Sequence, residues 1–209
     1  MSERDLTDLQ KDVLREIGNI GAGNATSSMA QLINKEVKME VPSVKIVTIN
    51  EMMEMLGGPE KVIVAIFFRI KGEITGTVYF VLTLEEAQYL VRNMTMMEDI
   101  EVMDESGQVN EMANSVLQEV ANILTGSYLS ALADFTHLHM TPSVPYLSID
   151  MAAATLVTGL IELQTVTDYA IIIDTKIKGN EADESAKGHF LLVPDPPSIS
   201  TFFSALGIE

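Results

Sequence analysis

Half of this chain is written twice, and that repetition limits what it can fold into more than any other feature. Asp12, Glu16, Asn19 and Pro42 recur as Ser115, Glu119, Asn122 and Pro145, each displaced by 103 residues. At that offset ten of the 31 positions from Asp12 to Pro42 are identical: Val13, Leu14, Glu16, Asn19, Ile20, Gly23, Ser27, Ala30, Val41 and Pro42. Internal similarity at a fixed period means that one structural unit is used twice. Glu16 and Asn19 are polar, and polar side chains are not needed to repeat a core.

The 209 residues suffice for one large domain or two small ones, and 47% of them are hydrophobic, enough for a sizeable core. We expect a single domain over 1–209, with a first half-repeat 1–103 and a second 104–209, because no Pro-, Gly- or Ser-rich linker divides them. A net charge of −17 repels nucleic acid and anionic lipid, so neither is an expected partner. The absence of cysteine excludes a disulfide scaffold and cysteine-based zinc or redox chemistry. No run of residues is long and apolar enough to predict membrane insertion. The opening MSERDLTDLQ lacks a basic start and an apolar stretch, so no secretory signal is expected and a cytoplasmic location is.

Local patterns give the order of elements. Thr7-Asp8-Leu9-Gln10 has the form of a capping box and predicts a helix over about 8–33. Lys35–Ile49 reads as a strand interrupted by Pro42, which points to an edge or a bulge. Asn50–Leu56 reads as a short helix stopped by Gly57-Gly58-Pro59. Val62–Ile70 and Thr75–Leu82 read as strands, and a second capping box at Thr83–Glu86 opens a helix to about Asn93. The second half repeats the order: a helix over about 107–134, a strand region around Pro145, and a short helix from Asp150 to about Val157. Strands follow near Ile161–Val166, Tyr169–Ile177 and Gly188–Val193, then a helix over Ser198–Leu206. A polar hairpin tip between Lys178 and Lys187 has no counterpart in the first half. The fold class expected is α+β, a pseudo-twofold duplication with two long helices packed on a mainly antiparallel sheet.

On a helix, Asp12, Glu16, Asn19 and Gly23 fall on one face, as do Ser115, Glu119, Asn122 and Gly126. Val13, Ile17 and Ile20 centre on a different strip, so the polar stripes are expected to face solvent. A glycine beside such a stripe costs about 1 kcal/mol against alanine, which close approach of another molecule would justify. A single solvated Glu-Asn pair would be unremarkable; two at identical offset, amid diverged neighbours, point to a shared task. Asn is neither acid nor base, but its amide accepts from and donates to one water, and so holds it in line with an electrophile. Glu is able to meet a lysine of a partner. The set lacks nucleophile, metal and base, and makes sense if the substrate is a protein that carries those parts. His137, His139 and His189 lie outside the stripes. His137 and His139, if in a strand, would point the same way, with a surface role more expected than a metal. Gly18, Gly21 and Gly23 follow no strand and precede no Gly-Lys-Ser/Thr, so they do not make a phosphate loop.

The pattern Asp/Ser-x3-Glu-x2-Asn-x22-Pro, present twice, resembles the signature of the CheC/CheX/FliY phosphatases of bacterial chemotaxis. Two intact copies and no added domain resemble the CheC-like members in particular. The resemblance implies hydrolysis of the aspartyl phosphate of the response regulator CheY. It implies that Glu16 and Glu119 pair with the regulator's active-site lysine and that Asn19 and Asn122 place the attacking water. Asp12 and Ser115 would lie at the rim of the contact, and Pro42 and Pro145 would support the helices from the adjoining strand. No cofactor of the chain's own is implied; Mg²⁺ is supplied by the bound regulator. The family also binds CheD, a receptor deamidase, and Asp150 matches the position implicated in that contact, where an Asp is also a good helix cap. A competing function is that of the FliM branch, which binds without catalysis; a further one is regulation of CheD with little phosphatase activity.

Overall fold

The computed structural model describes residues 8–156, 169–179 and 185–207. Helix α1 (Asp8–Ile33) leads into strand β1 (Lys38–Thr48), helix α2 (Ile49–Met55), strands β2 (Val62–Gly72) and β3 (Gly76–Leu82) and helix α3 (Leu84–Thr95). Helix α4 (Glu111–Thr136), strands β4 (Met140–Pro142) and β5 (Tyr146–Met151), strands β6 (Tyr169–Lys178) and β7 (Ala186–Pro194) and helix α5 (Pro196–Ala205) repeat that order. The expected α+β class with two long helices on an antiparallel sheet is what the chain adopts. Thr7, the strand expected over Ile161–Val166, the tip of the β6–β7 hairpin and the end of the helix expected to reach Val157 lie outside the described residues.

Among the described residues seven strands run in the order β1-β6-β7-β3-β2-β4, with β5 continuing the line of β4 along β2. All pairings are antiparallel. The order reads the same from both ends once the repeat is taken into account. The hairpin β2–β3 of the first half meets the hairpin β6–β7 of the second at β3 and β7, and each half lends its first strand to the other's hairpin. The pseudo-twofold therefore passes between β3 and β7.

Both faces of the central strands are covered, which is why β3 is buried at every residue and reads as an unbroken apolar run. One face, carrying Ile66, Phe68, Val78, Phe80, Ile173 and Phe190, joins the buried sides of α1, α3, α4 and α5. The other, carrying Ile63, Ala65, Tyr79, Ile172 and Leu191, joins Met52 and Leu56 of α2 and Ala152 and Leu156.

The repeat extends to fine geometry. Asn34 (φ 52°) and His137 (φ 58°), 103 residues apart, both take the left-handed conformation that ends the long helices. Each proline sits at an extra residue in its strand. Glu40 faces Lys176 but Ser43 faces Asp174, so β1 spends three steps on β6's two. Pro142 faces Ile70 but Tyr146 faces Phe67, four steps against three. Proline has no amide to give the ladder, and a bulge on a strand at the rim of the sheet removes the demand.

Two expectations require correction. Helix α4 begins at Glu111, not near 107, because Asp104 organises a turn, its carboxylate accepting from the amides of Ser106 and Gln108 at 2.9 Å each. Asn110 then caps the helix, its side-chain oxygen accepting from Met112 (2.9 Å) and Ala113 (3.2 Å). Asp150 does not start a helix: it lies in β5 opposite Ile63, and helical backbone begins at Ala152. Its carboxylate accepts from the adjacent Met151 amide at 2.7 Å instead of capping a first turn.

Candidate functional site

Helices α1 and α4 lie against each other over the sheet, and α1 also packs on β1. Close packing on α4 and on β1 explains two of the three glycines in EIGNIGAGN. A Cβ on Gly21 would lie 3.1 Å from the Tyr128 Cα and closer still to its ring, so only glycine fits. Tyr128 is buried, its ring 4.7 Å from that of Phe190 and its hydroxyl 2.9 Å from that of Thr175, and burial pushes its pKa up to about 12. A Cβ on Gly18 would stand 3.1 Å from Val41 Cγ1 of β1. The helix runs unbroken through all three glycines, so none forms a phosphate loop.

The polar stripes face away from these contacts. Asp12, Glu16, Asn19 and Gly23 of α1 are exposed, as are Ser115, Glu119 and Asn122 of α4, with Gly126 half-buried. Nothing lies within 4 Å of where a Cβ would stand on Gly23 or Gly126. Neither glycine is demanded by the chain's own packing. Among the described residues no hydrogen bond or ion pair engages the side chains of Glu16, Asn19, Glu119 or Asn122. Their donors and acceptors are presented to solvent at low ordering cost, since the backbone beneath them is helical and packed.

The flanking residues differ between the copies. Asp12 accepts from Arg15 at 2.7 Å in an exposed ion pair. In the second copy Ser115 turns its hydroxyl back to the Glu111 carbonyl (2.9 Å), and Gln118, in Arg15's place, donates to Asn114 (2.9 Å). Pro42 is exposed within β1 and Pro145 half-buried between β4 and β5. Asp150 is exposed on the sheet, away from both stripes in sequence and in element.

Two features were missed by sequence reasoning. Ile20, expected on the core strip, is 49% exposed and lies on the stripe's side of α1. Its position four residues after Glu16 and three before Gly23 was the signal. The second is a row across three strands on the α2 face: Asp174 of β6 accepts from Ser43 of β1 and meets His189 Nδ1 of β7 at 2.7 Å. Burial works to raise the Asp174 carboxyl, but hydrogen bonds to His189 and Ser43 and the charges of His189 and Lys45 outweigh it and hold the pKa below the usual range. The aspartate, not the histidine, is the middle member, so this row is not a nucleophile relay.

His137 caps α4 and is not in a strand, and the His139 amide donates to Glu73 at 2.8 Å. Among the described residues no group of three or more His, Cys, Asp or Glu side chains is placed to hold a metal. No helix among them is long and apolar enough to cross a membrane.

The model of the CheC-like family matches this chain over residues 9–46 and 112–149. These segments begin 103 residues apart (112 − 9) and contain both stripes. The chain is 41% identical to the CheY-P phosphatase CheC of Bacillus subtilis over 198 residues, 95% of this chain and 94% of that one. Among solved structures, Thermotoga maritima FliY superposes with a TM-score of 0.71 at 16% identity, covering 97% of this chain and 98% of that one. A chain of a FliM–SpeE complex from H. pylori superposes with a TM-score of 0.69 at 15% identity, covering 97% of this chain and 96% of that one. At such identity the last two likenesses speak for the fold.

Proposed function

The chain belongs to the CheC-like family, and from that premise we propose that it is a phosphatase of phosphorylated CheY, working through two surface sites. The observation that carries this reading is the pair of Glu-x-x-Asn stripes, identical in offset, exposed and unengaged on packed helices. Asn19 and Asn122 hold the attacking water: the amide oxygen accepts one of its protons while the NH₂ donates to its oxygen, fixing it in line with the phosphorus. Glu16 and Glu119 pair with a lysine of the regulator, without which a carboxylate beside a phosphoryl group would be repelled. Mg²⁺ on the regulator supplies the neutralisation of developing charge, and positioning does the rest. Asp12 and Ser115 sit at the rim, and Pro42 and Pro145, each at its bulge, set the strand that adjoins the helix. We read the chain as one domain over 1–209, because each half completes the other's sheet, and as cytoplasmic, alongside the regulator it acts on.

Decay of phosphorylated CheY is the test. Asn19→Ala with Asn122→Ala is expected to cost about 10²–10³ in rate, as for loss of a preorganised polar group. Retained activity in the folded double variant would remove both Asn residues from the mechanism. Glu16→Gln with Glu119→Gln is expected to weaken binding of the regulator, more at low salt, where screening is least. Unchanged affinity would end the docking role. A FliM-like binding module shares the fold, but it gives no reason for two intact Glu-Asn pairs.

The family resemblance also supports a CheD-binding surface at Asp150, beside Ala152–Ala154. Since Asp150 lies in β5 and does not cap a first turn, Asp150→Asn is expected to spare stability and weaken CheD binding in calorimetry. Normal binding would dismiss Asp150 from that surface.

A further inference from the structure

We propose that Ile20 and Ile123 are apolar docking residues that seat the phosphorylated regulator against each Glu-Asn pair and shut bulk water out of the contact. The proposal rests on the phosphatase reading above and adds to it the residue that gives the docked state its grip.

Both isoleucines are retained across the duplication, directly after the asparagine. Ile20 is 49% exposed, a surface that solvation alone does not favour, and it is not among the residues packed on the core. Ile123, at the same register, is half-buried and packs in part against the core, so the surface it offers a partner is smaller than that of Ile20. On a helix, a residue touches its neighbours three and four places away. Ile20 therefore borders Glu16 on one side and Gly23 and Asn24 on the other, all exposed. Ile123 borders Glu119, which is exposed, and Gly126 and Ser127, which are half-buried. The glycines complete the arrangement. With open space where a Cβ would stand on Gly23 and Gly126, the helix surface is low at the glycine next to the isoleucine, and a partner is able to approach the backbone there.

Chemistry supplies the need. A water held by one amide competes with bulk water for its orientation, and a Glu-lysine pair at an open surface is worth little because solvent screens it. An apolar side chain flanking the Glu on the side away from the Asn, covered on docking, strengthens the polar contacts beside it by excluding solvent. The occupant is fixed by continuity: the isoleucine lies within the same exposed face as the Glu and Asn, so whatever meets them meets it. That occupant is the phosphorylated receiver.

The test is made one site at a time. In an Asn122→Ala chain, only the first site acts. There Ile20→Ala is expected to raise KM for phosphorylated CheY about fivefold to tenfold, as for truncation of an apolar interface anchor, with a smaller change in kcat. Binding of beryllofluoride-activated CheY should weaken by the same factor, the melting temperature should hold, and Ile20→Val should restore most of the affinity. Unchanged KM and binding in a folded Ile20→Ala chain would overturn the inference. An equal loss in Ile20→Ala and a lowered melting temperature would overturn it too, by making the residue structural. Asn19→Ala in the same background separates the two levels. If it abolishes turnover while Ile20→Ala changes nothing, only the docking inference fails; if turnover survives it, the phosphatase reading of the site fails.

Discussion

Val41 and Val144 hold the same register in the two half-repeats, each just before the proline at a bulge, yet Val41 is 7% exposed and Val144 84%. The helices above differ at this point. Gly18 leaves room for Val41, whose Cγ1 would stand 3.1 Å from a Cβ there. The matching position on α4 is Ala121, which has that Cβ, and there the strand is broken between β4 and β5, with Val144 turned outward. A second pair of differences lies between the helices: α1 has Gly21 and Ala25 where α4 has Leu124 and Tyr128. Two identical helices crossing on a twofold would set large against large. Here one copy is small and the other large, and Gly21 receives Tyr128. The stripes kept their chemistry although nothing in the core constrains an exposed face, which points to a task outside the core.

The helices that carry the stripes are also held differently. Helix α4 packs against α1, α3 and strands β2 to β5, and begins at the Asn110 cap; α1 packs against α4 and β1. A preorganised group is worth more on a stiffer support. Silencing the second site with Asn122→Ala is therefore expected to remove more than half of the turnover of phosphorylated CheY, and Asn19→Ala less than half, with both together costing about 10²–10³. Equal losses in the single variants would show that support does not distinguish the sites.

The next effect is on stability. Gly21→Ala forces a methyl into Tyr128, and overpacking of this kind costs about 1–3 kcal/mol, offset by up to about 1 kcal/mol of helix propensity. Two residues on, Gly23→Ala meets open space and is expected to gain up to about 1 kcal/mol. Urea denaturation of the two variants should move in opposite directions. A Gly21→Ala chain as stable as the parent would mean that the helices slide apart without penalty.

These glycines also mark what was legible in the sequence. The duplication, the order of elements, the bulge at Pro42 and the solvent-facing stripes were readable, because each rests on a local rule: helical periodicity, capping, or proline's missing amide. The start of α4 was misplaced because the Asp104 turn uses the same residue types as a helix start. Asp150 was misread because an Asp before small residues suits a cap, and only pairing with Ile63 shows the strand continuing past it. Ile20 was assigned to the core by its apolarity, although its angular position already argued otherwise. The Ser43–Asp174–His189 row was invisible, since nothing local says which strands become neighbours when each half lends a strand to the other.

The smallest expected effect concerns charge. Helix α4 contains no Lys or Arg, whereas α1 carries Arg15 beside Glu16, held by Asp12 at 2.7 Å. A phosphorylated receiver presents a phosphoryl group and carboxylates, so the first site offers it a guanidinium and the second offers only Gln118. An exposed charge of this kind is worth up to about 1 kcal/mol and is screened by salt. In an Asn122→Ala chain, Arg15→Gln is expected to lower kcat/KM by about twofold to fivefold at low ionic strength and to flatten its fall with added salt. In an Asn19→Ala chain the same substitution should change nothing, since the remaining site lies on the other helix. A salt profile unaltered by Arg15→Gln in the first background would leave the two sites electrostatically alike, and their difference would then rest on how firmly each helix is held.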